Sequence, residues 1–184
     1  MGIDDIRRLL RFLLAIVVIF MVTAEVEAQP AISLVEEQTD EPSSFRVLSP
    51  HLILVDDPSG QMSPAEARTA FSERRGVRRV RGNFFAFPKR DAVIWAKARL
   101  RPSRDSQRWF LDLGHPWLEK AQLYIGGSDR PTTLRRQART VVLELPELSD
   151  DEVQLLLRLE APFSLITAPT MVTERSFEQR AWAD

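Results

Sequence analysis

From position 92 onward, apolar and polar residues take turns. Ile94, Ala96, Ala98 and Leu100 share one parity, and Trp95, Lys97 and Arg99 the other. Trp109, Leu111 and Leu113 alternate with Phe110 and Asp112, and Ala121, Leu123 and Ile125 with Gln122 and Tyr124. The same holds for Val141, Leu143 and Leu145 against Val142 and Glu144, and for Val153, Leu155, Leu157 and Leu159 against Gln154, Leu156 and Arg158. A strand turns successive side chains to opposite faces, so each run predicts a strand with one face in a core. Turn formers separate most of the runs: Pro102-Ser103, Gly114-His115-Pro116, Gly126-Gly127 and Pro146. Short strands at this spacing predict an all-β fold with minor α content, an antiparallel β-sandwich. The predicted core is Trp109, Leu111, Leu113, Leu123, Ile125, Val141, Leu143, Leu155, Leu157 and Leu159.

Upstream, a short strand is predicted over 51–55, closed by the turn former Asp57-Pro58-Ser59-Gly60. Ser63-Pro64-Ala65-Glu66 then combines a capping serine, a proline suited to the first helical position and a glutamate that completes a capping box. A helix over 64–72 follows, with Gly76 helping to end it.

The start of the chain has another pattern. Arg7, Arg8 and Arg11 precede an apolar run over 12–22, too short for the ~20 residues that span a bilayer. Small or moderate side chains follow at Val26 and Ala28. Together these predict a secretory signal peptide over 1–28, cleaved after Ala28. An uncleaved anchor facing the periplasm is the alternative. Residues 29–44 are polar, acidic and aperiodic and predict a flexible tether. The folded domain is then expected over 45–184.

Composition narrows the picture. The chain has no cysteine, which rules out disulfides and cysteine metal sites and suits a periplasmic location. It carries 25 Lys+Arg and 26 Asp+Glu. The leader holds Arg7, Arg8 and Arg11 of the first set and Asp4, Asp5, Glu25 and Glu27 of the second, so the remainder is formally neutral. A nucleic-acid partner is not expected.

Several segments, taken together, resemble a known family. They are HLILVDDPSGQMSPAEA, VIWAKARL, WFLDLGHPWLEKAQLYI and LLLRLEA, in that order. Their order and spacing over about Phe45 to Phe177 are similar to the second type of extracytoplasmic sensory domain in bacterial seven-transmembrane receptors with diverse intracellular signalling modules (7TMR-DISM). The resemblance implies a jelly-roll-like sandwich, similar to carbohydrate-binding modules. It also implies a periplasmic ligand-binding sensory role in signal transduction, with a small extracellular ligand such as a carbohydrate. Lys97 stands where the family usually has arginine, which weakens the case for a bidentate anion clamp. In the family the domain precedes membrane spans and an output module. On the present sequence the chain is expected to be unable to signal alone, and to be a stand-alone binding protein, the partner of a separate membrane receptor, or the remnant of a broken receptor gene.

The candidate ligand-binding residues are Trp95, Lys97, Asp112, Tyr124 and Arg158. All lie on the parity opposite the predicted core. On one exposed sheet face they would form aromatic surface edged by charge, the chemistry that holds a polyol. The competing reading covers that face and makes Asp112 the structural ion partner of Lys97 or Arg158. Arg74, Arg75, Arg78, Arg79 and Arg81, with Lys89 and Arg90, form a basic run interleaved with Phe84, Phe85 and Phe87. It reads as a solvated loop, or as a contact for anionic headgroups. No catalytic residue, cofactor or metal is expected. His115 is a lone turn histidine, the acidic pairs Asp56-Asp57 and Asp150-Asp151 lie in turns, and no G-x-S-x-G pattern occurs. An exported jelly-roll hydrolase and a non-enzymatic interaction protein are the alternatives to a sensor.

Overall fold

The alternating runs do become strands, and they divide between two sheets. In the computed structural model the described residues are 31–34, 45–87, 91–102, 108–115, 117–118, 120–132, 134–137, 140–146 and 152–182. The strands are β1 (Ile32–Ser33), β2 (Phe45–Val47), β3 (Ile53–Asp57), β4 (Arg78–Arg79), β5 (Phe85–Ala86), β6 (Ala92–Arg101), β7 (Trp109–Asp112), β8 (Lys120–Ile125), β9 (Leu134–Gln137), β10 (Thr140–Glu144), β11 (Val153–Ala161), β12 (Ile166–Thr167) and β13 (Thr170–Thr173). A 3₁₀ turn covers Ser49–His51, and the helices are α1 (Pro64–Ser72) and α2 (Glu174–Trp182).

The first sheet runs β4-β3-β6-β11-β8, and the second β2-β13-β7-β10-β9. β5 and β12 form a small ribbon at one end. Ile94, Ala96, Ala98, Leu123, Leu155, Leu157 and Leu159 of the first sheet pack against Leu111, Val141, Leu143 and Met171 of the second in one cluster. The fold is therefore an antiparallel β-sandwich. Every predicted core residue is buried in that cluster except Ile125, which is partly buried at its edge.

The tether expectation gives way at its start. Ile32 and Leu34 are buried in the core, and β1 pairs in parallel with the end of β6, Ile32 opposite Leu100. The alternation Ala31-Ile32-Ser33-Leu34 was short enough to be hidden by the acidic residues that follow it. Residues 35–44 lie outside the described residues.

The outward sides of both sheets are also covered, which the strand pattern did not predict. α1 lies on the first sheet, burying Ala67, Ala70 and Phe71 against Val55, Trp95, Tyr124 and Leu156. On the second sheet, Phe177 of α2 packs on Phe110, Val142 and Val172.

Candidate functional site

α1 forms where its capping signals placed it. Ser63 Oγ accepts from the Glu66 amide at 3.3 Å, and Glu66 Oε2 accepts from the Ser63 amide at 2.8 Å. Past the C-cap Glu73, Arg74 at φ 55° and Gly76 at φ 63° turn the chain away from the helix. Its approach is set by Asp57, a buried carboxylate rather than a solvated turn acid. Asp57 accepts from the Ser59 amide at 3.1 Å, Ser59 Oγ at 2.6 Å, and the Gly60 and Met62 amides at 2.9 Å each. Burial alone would raise its pKa, but these hydrogen bonds prevail and hold it below the ordinary value.

The helix so placed removes the predicted aromatic platform. Trp95 is 0% and Tyr124 5% exposed, their ring centroids 5.8 Å apart under α1. Four of the five candidates stand on one side of the first sheet. Trp95 sits opposite Arg158 and Lys97 opposite Leu156, and Leu156 is in turn opposite Tyr124. Asp112 belongs elsewhere, on β7 of the second sheet, beside Val142 and Thr170. The five residues therefore share no exposed face.

Each polar member is engaged locally. Arg158 Nη1 donates to Glu160 Oε2 at 2.8 Å and Nη2 to the Gly60 carbonyl at 2.9 Å, tying β11 to the loop before α1. Lys120 Nζ reaches Glu160 Oε1 at 3.2 Å. Partial burial would raise the Glu160 pKa, yet the hydrogen bonds from Arg158 and Lys120 hold it low. Lys97 Nζ lies 5.8 Å from the Phe71 ring centroid. Burial, then the neighbouring Arg99 charge, lowers its pKa. Burial likewise raises the pKa of Tyr124, whose hydroxyl donates to Gln122 Oε1 at 3.3 Å. Asp112 accepts from the Gly114 amide at 2.8 Å and from the Thr140 hydroxyl. The ion partner of Arg158 is thus Glu160 and not Asp112.

The basic run supplies a concave surface instead. An open groove of about 340 Å³ is lined by Asp56, Arg78, Arg79, Val80, Arg81, Phe84, Phe85 and Ala86. β4 pairs with β3, Arg78 opposite Leu54, and the Val80 amide donates to the Leu52 carbonyl at 3.1 Å. Arg78 Nη2 meets Asp56 Oδ1 at 3.1 Å. Phe85 and Phe87 turn into the core, which leaves Phe84 outside and 59% exposed. That alternation is legible in Phe84-Phe85-Ala86-Phe87, although the run reads first as a basic loop. Lys89 and Arg90 lie outside the described residues. The arrangement joins guanidinium donors to a ring face, with one carboxylate at the rim.

Metal ligation has no support at His115, whose Nδ1 accepts from the Trp117 amide at 3.2 Å. Among the described residues, no group of three or more His, Cys, Asp or Glu could hold an ion. No helix among them is long and apolar enough to cross a membrane. Asp150 and Asp151 lie outside the described residues.

A family model described as 7TMR-DISM extracellular 2 matches residues 49–173. The match runs from the 3₁₀ turn to the end of β13. It takes in α1, the buried Trp95–Tyr124 pair and the arginine groove, and leaves out β1, β2 and α2. No curated protein matches the chain.

Proposed function

The chain belongs to the family of 7TMR-DISM extracellular 2 domains, extracytoplasmic sensory domains of receptors, and from that footing we propose that it recognises a small acidic carbohydrate in the periplasm. The leader over 1–28 delivers it there. The observation that carries the ligand class is the groove beside β4, where Arg78, Arg79 and Arg81 stand next to the exposed Phe84 ring. A sugar ring lays its C–H face on an aromatic ring, and guanidinium groups take its hydroxyl and carboxylate oxygens. The groove replaces the sheet face as the candidate site, because α1 already occupies the ground above Trp95 and Tyr124.

The reading includes no chemistry on the ligand. Asp56 is the carboxylate lining the groove, and Arg78 holds it. Glycoside hydrolysis takes two carboxylates flanking the bond. The domain's part in this reading is to bind the ligand.

Titration calorimetry with a panel of uronic acids and their neutral parent sugars tests the proposal. Binding of one acidic sugar is expected. Arg81→Ala should weaken it about tenfold or more, the loss of one charge-assisted hydrogen bond. Phe84→Ala should weaken it as well. Both side chains are exposed, so neither change should move the melting temperature by more than a few degrees. Equal affinity of wild type and both variants would remove the groove as the site.

A further inference from the structure

Monomeric soluble proteins scatter their exposed large apolar side chains; among the described residues of this one, four of the five stand on three linked segments, and the fifth, Phe45, lies on β2 of the second sheet. Trp117 is 61% exposed, Phe163 41%, and Ile166 and Phe84 59% each. Three segments bring them together. The Trp117 and Phe163 rings have centroids 6.3 Å apart. Ile166 stands directly opposite Ala86 in the β5–β12 ribbon, two residues from Phe84. The segments are fixed to one another, since Phe87 N donates to the Leu165 carbonyl at 2.8 Å and Thr167 Oγ1 to the Leu113 carbonyl at 2.5 Å. Gly114 turns the chain at φ +66°, a conformation that other side chains rarely adopt, and lies in ordinary contact with Ala168. The aromatic groups thus ride on a braced surface.

We propose that this end of the sandwich seats on an anionic lipid bilayer, with Trp117 and Phe163 at headgroup depth. Charge decides the occupant. The patch runs through Phe84 onto Arg78, Arg79 and Arg81, and rings beside arginines are the composition that partitions to an anionic interface. A second copy of the chain fits less well. A two-fold contact through the same patch would bring both arginine clusters to one interface. The carboxylate at hand, Asp56, is already held by Arg78.

The probe is built in. The chain has four tryptophans; Trp95 and Trp109 are buried, 0% and 7% exposed, and the part of the quenching that Trp117→Phe abolishes reports Trp117 rather than Trp182. The exported protein, in the form recovered from the cell envelope, is mixed with phosphatidylcholine vesicles with or without phosphatidylglycerol. Lipids brominated near the headgroup serve as quenchers. Expected is a blue shift with quenching in the anionic vesicles, loss of both on raising salt, and loss of both in Trp117→Phe. Phe163→Ser should weaken the vesicle binding itself. Acidic-sugar binding should survive Trp117→Phe and Phe163→Ser, which keeps a failure here distinct from a failure of the groove. Quenching equal in wild type and Trp117→Phe would overturn the proposal. So would a blue shift that grows with protein concentration without vesicles, the mark of self-association.

Discussion

The two outward sides of the sandwich are both capped by a helix, yet the bonds added to the packing differ. Over the first sheet, α1 covers Trp95, Tyr124 and Leu156 among charged neighbours, and its approach is fixed by Asp57, Arg158 and Glu160. Arg68 of α1 also reaches Asp129 at 2.5 Å across the β8–β9 turn. Over the second sheet, α2 is seated by apolar contact. The Phe177 ring stacks on Phe110 with centroids 5.0 Å apart, and charge stays at the margin, where Arg108 bridges Glu144 and Glu174. Both helices are seated by packing; the first side adds directed bonds through Asp57 and Arg158 in the loop and strand beside it, the second the Thr173–Ser176 pair at the start of α2. Burial alone does not decide which outward face is a binding surface; what sits on the face does.

That contrast can be broken by substitution. Trp95→Ala should cost about 3–5 kcal/mol, the usual range for removing a large buried ring. A loss of under about half a kcal/mol in a denaturant titration, as at surface sites, would mean that α1 does not cover this face. Asp57→Asn comes next, at about 1–3 kcal/mol, because an amide oxygen cannot satisfy four converging donors and its own NH₂ is left unpaired. Phe177→Ala should cost less, about 1–2 kcal/mol, since the ring is only partly buried where it packs on Phe110, Val142 and Val172. Equal costs for Trp95 and Phe177 would erase the difference between the faces.

Acid sharpens the comparison with the smallest effect. Asp57 and Glu160 have folded-state pKa values below their ordinary 3.8 and 4.5. A depressed carboxylate contributes stability above its unfolded pKa, and that contribution is lost as pH falls through the folded value. Stability should therefore decline as pH drops below about 4, and hydrogen exchange should quicken at α1 before α2. Glu160→Gln should flatten part of the decline. If exchange quickens equally at both helices, the ties to Asp57 and Glu160 do not set the stability of α1.

Much of this fold is legible in the sequence. The two-residue period gave β6, β7, β8, β10 and β11 with their core-facing parity, and the motif Ser63-Pro64-Ala65-Glu66 gave the helix cap, because those signals are local. The candidate face failed for non-local reasons. Trp95, Lys97 and Arg158 share a parity, but only the sheet order puts Asp112 on another layer. The pattern Trp95-x-Lys97 also reads as half-polar, and its polar half hides that a helix lies over it. The signal for that cover was present in Ala67, Ala70 and Phe71, an apolar stripe that needs a partner. The groove and the exposed ring cluster were harder to see. Each is assembled from segments far apart in sequence, such as Trp117 with Phe163 and Asp56 with Phe84.

β1 carries a consequence for the order of assembly. Its residues are made first, but the partner of Ile32 is Leu100, nearly seventy positions later. Closing a loop of that length costs about 4 kcal/mol of chain entropy, and two residues of parallel pairing return little of it. The core under Ile32 and Leu34 must therefore be nearly formed before the strand docks. β1 therefore docks late, an early-made segment that closes onto a core already built by the strands that follow it.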